Sequence, residues 1–219
     1  MSTPKLFQFI YSCSSEKVRR ALHHKGISWE TTEVDWFDRK PVEAVSGQNL
    51  VPVFQHEGNT LGPVSIEILD YIEDNFDGPT LYPNGSRGFC HIMNEYDEKV
   101  LFGLGCKVFF PAGAKVMNSE AFEADVVRLM GCSSQQLWDD LPKVAEEYKS
   151  HFSWLDDMLA SNKWLAGDEL SAADHIIYSN YWFANNNPMF AEMTAQMGFK
   201  NLDGWAARMK EDYFTTLPF

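Results

Sequence analysis

Hydrophobic and polar positions divide the chain into two unlike stretches. Leu6-Phe7-Gln8-Phe9-Ile10 is short, aromatic and β-branched and predicts a strand, while Val18, Ala21 and Leu22 behind it recur at helical spacing. Ile27 to Asp35 alternates as a half-buried strand does. Val51 to Glu57 and Asn59-Thr60-Leu61 flank Gly58 and predict two short strands joined by a hairpin turn. Ile66, Leu69, Ile72 and Phe76 stand three and four apart and predict another helix. The order is β-α-β, a connecting segment near 38–47, then β-β-α. Alternating strands and helices imply an α/β layer, with the hairpin as an antiparallel edge.

Asp77-Gly78-Pro79-Thr80-Leu81-Tyr82-Pro83-Asn84-Gly85 concentrates turn formers, and no strand pattern follows it. The boundaries that result are 1–77 for the α/β domain, 78–86 for a linker and 87–219 for an all-helical domain. Ile92, Tyr96, Val100 and Gly103 open a long helix that Pro111-Ala112-Gly113 is expected to break, and further helices are expected near 119–131, 134–161, 171–184 and 201–212.

The stretch Tyr11-Ser12-Cys13-Ser14-Ser15-Glu16 is chemically dense, because an apolar strand enters a helix there through three hydroxyls and a thiol. A helix that starts near Ser14 or Ser15 presents unpaired N–H groups and the positive end of its dipole, which favour a nearby anion by roughly 0.3–1 kcal/mol. The same serines serve equally well as plain helix caps. At this point both uses stand: a seat for an anion or thiolate, or capping alone.

Composition narrows the classes. The 219 residues carry a net charge of −13, with 45% hydrophobic and 22% charged residues, a globular balance. Such acidity disfavours nucleic acid and anionic membrane as partners. Lys17, Arg19, Arg20 and Lys25, on one short helix, together with Arg39 and Lys40, are the cations that could steer an anionic substrate or simply face solvent. No uninterrupted apolar run approaches the roughly 20 residues of a membrane span. Met1-Ser2-Thr3-Pro4-Lys5 lacks the apolar core of a signal peptide, so the expected location is cytoplasmic. Cys13, Cys90, Cys106 and Cys132 are too widely spaced for a disulfide framework or a paired-cysteine zinc site, and the lack of Cys-x-x-Cys disfavours a dithiol redox protein.

Three separated motifs agree. The turn at Ser12, the Val51-Pro52 pair opening a strand, and Trp164-Leu165-Ala166-Gly167-Asp168-Glu169-Leu170-Ser171-Ala172-Ala173-Asp174 together resemble the cytosolic glutathione transferase family over essentially the whole chain. The last motif resembles the family's buried capping box, with Asp174 reaching back to the Ser171 N–H; His175 stands where the family usually has a large aliphatic residue. The resemblance implies a thioredoxin-like N-terminal domain followed by an all-α domain. It also implies glutathione as co-substrate without a metal, a small hydrophobic electrophile, a homodimer and a role in detoxification.

The resemblance also assigns site residues. Pro52 would follow a cis bond, turning the Val51 backbone toward the cysteinyl part of glutathione. Ser65, with Val64 at the usual acidic position, would hold the γ-glutamyl end, and Arg39, Lys40 or Gln48 the glycyl carboxylate. Ser12 matches the activating serine of theta- and zeta-like members and the cysteine of omega-like ones, with Ser14 as a supporting donor. Cys13 is the alternative: facing glutathione, it would support thiol-transferase, lyase or isomerase chemistry through a mixed disulfide. Tyr96, Phe102, Phe109, Phe110, Trp182 and Phe183 are the aromatic candidates for the electrophile site between the domains, with the chain terminus beside them. A non-catalytic binding module on the same fold is the remaining class, and Val64 is the residue that suggests it.

Overall fold

The structure is a computed structural model that describes residues 2–213 and Thr215. Its first part orders as β1 (Lys5–Gln8), α1 (Cys13–His24), β2 (Glu30–Glu33), α2 (Lys40–Ser46), β3 (Val53–His56), β4 (Asn59–Leu61) and α3 (Ser65–Asn75). The sheet runs β2-β1-β3-β4, with β1 parallel to β2 and antiparallel to β3, and β3–β4 forming the hairpin. Glu57 and Gly58 both take positive φ at its turn, as a two-residue hairpin requires.

Strand alternation sorts the core. Leu6 pairs with Phe54 and both join the main core with α1 and α3, whereas Phe7 pairs with Val53 and both pack with Val34 and with Val42 of α2 in a smaller cluster on the other face. The segment read as a connection thus contains a helix. Val42 is its one buried residue, so no apolar period marks it, although Pro41 in its first turn and Gly47 in left-handed conformation after its end do.

After a short 3-10 turn at Pro83–Gly85 the chain is helical: α4 (Arg87–Tyr96), a π turn (Asp97–Leu101), α5 (Phe102–Met117), α6 (Glu120–Met130), α7 (Ser134–Asp139), α8 (Leu141–Leu159), α9 (Ala172–Asn185), α10 (Pro188–Ala195) and α11 (Lys200–Asp212). The expected break at Pro111 does not occur. A proline inside a helix costs about 3 kcal/mol, and here burial of Phe109, Phe110, Ala112 and Gly113 around it outweighs that cost. The helix stops at Asn118, in left-handed conformation. The span expected over 134–161 is two helices, because Pro142 sits in the first turn of α8 and opens a new one at Asp140. Residues 87–117 as a unit are long and apolar enough to cross a membrane by composition, although Lys99 and Lys107 interrupt the apolar run. However, 56% of their most apolar window is buried in the core.

Helix α9 is buried on nearly every side and packs against α1, α4 and α5. Its start is the expected capping arrangement. Asp174 accepts the Ser171 N–H at 3.0 Å, the Ser171 hydroxyl at 2.8 Å, the Leu165 N–H at 2.9 Å and the Trp205 indole N–H at 2.8 Å. His175 is buried with its ring centre 5.3 Å from that of His24, and burial, then His24, Arg20 and His23, hold it well below the usual imidazole range.

The basic flank of α1 neither steers nor faces solvent. Lys17 Nζ lies 2.7 Å from both Asp97 and Glu98 of the π turn. Burial lowers its pKa, but those carboxylates outweigh it and hold the ammonium charged. Glu16 binds Arg19 at 2.8 Å and Arg20 at 2.9 Å, and it accepts the Thr215 hydroxyl. Arg20 donates to the Met209 and Tyr213 carbonyls, satisfying the end of α11. Lys25 pairs with Glu73 at 2.8 Å. These cations knit the two parts together.

Candidate active site

The site begins where β1 ends. Ser12 is the N-cap of α1, in extended conformation, and its Oγ accepts the Ser15 N–H at 3.1 Å while its carbonyl accepts the Glu16 N–H at 2.9 Å. A hydroxyl that accepts one bond still owns a proton to donate. Capping and thiolate binding are therefore compatible uses of one side chain. Ser12 and Ser14 are half-buried, at the wall of a cleft of about 420 Å³ between the sheet domain and the helices.

Behind this turn, Cys13 is 2% exposed, and burial followed by the Asp97 carboxylate pushes its thiol up, so it stays neutral. Cys106, also at the cleft, is pushed up to about 12 by burial and then Asp97. Both cysteines border the cleft as buried, weakly acidic thiols, whereas a reactive cysteine needs a lowered pKa.

The cleft walls are aromatic. Phe9, Tyr11 and Trp36 come from the sheet domain and Phe102, Phe109, Phe110 and Phe183 from α5 and α9. Phe109 and Phe183 stack at 4.5 Å between ring centres. Asn49, Leu50 and Val51, from the loop before β3, and Asp125, Arg128 and Leu129 of α6 also line it. The Val51–Pro52 bond is cis, as the resemblance implies, and so is Gly62–Pro63. Gly62, at φ +136°, has no room for a side chain, which would collide with the Pro52 carbonyl oxygen.

The remaining expected residues divide by position. Arg39 lies at the cleft, half-buried, with its guanidinium over the rings of Phe9 and Trp36, and burial lowers its pKa. Lys40 is exposed on α2 and absent from the cleft lining. Gln48 turns its amide back on its own loop, donating to Ser46 Oγ at 3.1 Å and to the Leu50 carbonyl at 3.0 Å. Ser65 opens α3 with a buried hydroxyl that has no partner among the described residues, while Val64 before it is 46% exposed and makes no cap.

Two aromatic expectations fail. Tyr96 faces α8, its hydroxyl 2.8 Å from His151 Nδ1 and 3.3 Å from Trp154 Nε1. Trp182 is buried against α1, donating to the Thr215 carbonyl, and it is Phe183, about 100° further round α9, that reaches the cleft. The described part of the chain end, Tyr213 and Thr215, binds Arg20 and Glu16 and does not line the cleft; residues 214 and 216–219 lie outside the described residues. Trp36, Asn49, Asp125 and Arg128 went unread in the sequence. Only Trp36, a large aromatic in a polar loop, carried a local signal.

Comparison with known families decides the relationship. Residues 6–80 match the model of the glutathione S-transferase N-terminal domain, and residues 120–212 match that of the C-terminal domain. The chain belongs to the glutathione S-transferase superfamily. A probable glutathione S-transferase of Nicotiana tabacum is 28% identical over 176 residues, 80% of this chain and 68% of that one. Locally the likeness is closer: glutathione S-transferase L1 of Arabidopsis thaliana is 43% identical over 59 residues, 27% of this chain and 22% of its own. A glutathione transferase structure from Phanerochaete chrysosporium superposes with a TM-score of 0.76 at 17% identity, over 99% of this chain and all of its own. In superfamily terms, the four-stranded sheet with its helices is the thioredoxin-like domain and α4 to α11 are the helical domain, with the cleft where they meet.

Proposed function

We propose that this superfamily member is a glutathione transferase in which the Ser12 hydroxyl stabilises the thiolate of glutathione for attack on an apolar or aromatic electrophile. The observation that carries the reading is the position of Ser12: a capping hydroxyl with a proton to give, at a helix N-terminus, on the wall of an aromatic cleft. An unperturbed thiol with a pKa of about 8.5 is largely protonated at neutral pH, and each unit by which it falls is worth about 1.4 kcal/mol. One hydrogen bond to the charged sulfur plus the helix end supports a fall of about one to two units. The thiolate forms a bond to the electrophilic carbon, the leaving group departs with its electron pair, and the thiol proton passes to solvent.

Around the sulfur, the Val51 backbone beside cis-Pro52 suits the cysteinyl part, and Arg39 suits the glycyl carboxylate. The partnerless Ser65 hydroxyl at the uncapped start of α3 suits the γ-glutamyl end, with Val64 withholding the usual acidic partner. Ser14 is a supporting donor. Phe102, Phe109, Phe110 and Phe183 would hold the electrophile. Burial and the Asp97 carboxylate support a packing role for Cys13. A homodimer is part of the proposal, and Ile92, 67% exposed on α4, is consistent with a covered face.

The test is turnover of chlorodinitrobenzene with glutathione. Ser12→Ala is expected to lose about 100-fold in kcat/KM, the cost of removing one preorganised donor. Its pH profile should also move toward the ordinary thiol value, while Cys13→Ala retains activity. Loss in Cys13→Ala with retention in Ser12→Ala, together with disulfide reduction, would establish thiol transfer instead. No glutathione binding by calorimetry at millimolar concentration would establish the binding-module reading.

A further inference from the structure

The loop between β2 and α2 crosses to the helical domain through one side chain. Trp36 Nε1 donates to Asp125 Oδ2 at 2.9 Å. The other carboxylate oxygen, Oδ1, accepts Arg128 Nε at 3.1 Å and its Nη2 at 2.8 Å, so the two oxygens have separate tasks. The indole lies 5.6 Å from Phe9, 6.0 Å from Phe110 and 5.3 Å from Phe122, ring centre to ring centre. Arg39 covers it at 5.2 Å and donates from Nε to the Trp36 carbonyl at 3.1 Å. Trp36, Arg39, Asp125 and Arg128 all line the cleft that holds Ser12. One wall of the cleft is therefore a ring anchored on one domain and held in place by a carboxylate of the other.

We propose that Asp125 is a positioning residue that clasps Trp36 as a fixed wall of the electrophile subsite, making it selective for flat aromatic electrophiles over branched ones; this rests on the transferase reading. A planar ring meets the indole and phenylalanine faces without moving them, whereas a branched group must displace the indole. Displacement breaks a hydrogen bond to a charged acceptor and uncovers the Arg39 face of the ring. The clasp thus resists branched substrates specifically.

The discriminating pair is benzyl chloride and para-tert-butylbenzyl chloride, which undergo the same displacement by glutathione and differ in bulk. In Asp125→Leu and in Trp36→Phe, the ratio of kcat/KM for the branched over the plain chloride is expected to rise about tenfold, the scale that one hydrogen bond to a charged group supports. The change should reside in KM for the branched chloride. The double variant should do no more than either single one. Asp125→Asn, whose amide oxygen still accepts the indole N–H, should keep the wild-type ratio, as should Arg128→Gln. An unchanged ratio in folded Asp125→Leu or in Trp36→Phe, or an equal rise in Asp125→Asn, overturns the proposal. If the wild-type protein conjugates neither these chlorides nor chlorodinitrobenzene, the transferase reading fails by itself. The clasp is then read from acrylamide quenching of Trp36 emission, taken as the difference between proteins with and without Trp36. Easier quenching in Asp125→Leu supports the clasp, and unchanged quenching overturns it.

Discussion

Helix α1 has two functional surfaces, and they treat charge in opposite ways. Its flank is crowded with ionised side chains, Glu16, Lys17, Arg19 and Arg20, all buried and all paired. The residues of its N-terminal end that line the cleft, Ser12, Cys13 and Ser14, carry no ionised side chain, only hydroxyls, a neutral thiol and backbone N–H groups. In a chain of net charge −13, positive character at the cleft therefore comes from the helix end and from Arg39 and Arg128 rather than from the basic cluster of α1. Fixed dipoles suit a thiolate, because they need no reorganisation when the negative charge forms. The Lys17 ion pairs instead hold the helix, and hence its end, against the π turn, while Arg20 ties it to the end of α11.

The sharpest way to break this division is to remove a flank charge. Lys17→Met leaves Asp97 buried without its cation and should cost about 3–5 kcal/mol, read as a lowered urea midpoint. Replacing Asp97 by Leu in the same chain should recover much of that loss. Ser12→Ala probes the other surface. Its roughly 100-fold loss of turnover corresponds to about 2.7 kcal/mol of activation energy, against only about 1 kcal/mol of stability for the lost cap. A stability loss as large as that of Lys17→Met would erase the distinction between the two surfaces.

His175 sharpens the comparison through pH. It is neutral when folded because burial and the neighbouring His24, Arg20 and His23 lower its pKa, while in the unfolded chain it takes up a proton near pH 6.5. Stability is therefore untouched above that pH and falls below it, by at most about 1.4 kcal/mol per pH unit from this residue. His24, also lowered by burial, adds in the same direction. His175→Leu should flatten the decline of the melting temperature between about pH 6.5 and 5, with little change at pH 8. The smallest effect concerns glutathione: Arg39→Ala should raise its KM by about three- to tenfold, and Lys40→Ala should leave it unchanged, because only the first lies at the cleft.

Much of this was legible in the sequence, for identifiable reasons. Alternation marked only the stretch that holds β2; β1 and β3 are buried on both faces and were read from short apolar runs, with the turn at Gly58 marking the hairpin to β4. The Ser12 turn and the Ser171–Asp174 box were legible because capping chemistry is local, read within three residues. Helix α2 was not, since one buried valine makes no period. The break assigned to Pro111 overstated a local rule that packing overrides. Arg19 pairs with Glu16 only three residues away, whereas the fate of Lys17 and Arg20 was invisible because their partners Asp97 and Met209 lie far along the chain. The Trp36–Asp125 bond was invisible for the same reason. Trp182 and Phe183 were both candidates and the sequence did not separate them, since neighbouring aromatics differ only by rotation about the axis; Phe183 is the one at the cleft.

The contacts of Thr215 and Tyr213 with Glu16 and Arg20 bear on how this protein can be recombined. Its sheet domain cannot be exchanged as a self-contained cassette. A chimera carrying α1 from another family member would set that helix's side chains against the Met209 and Tyr213 carbonyls and the Asp97 carboxylate of this one. A crossover made at the linker would therefore have to carry at least those partners across with it.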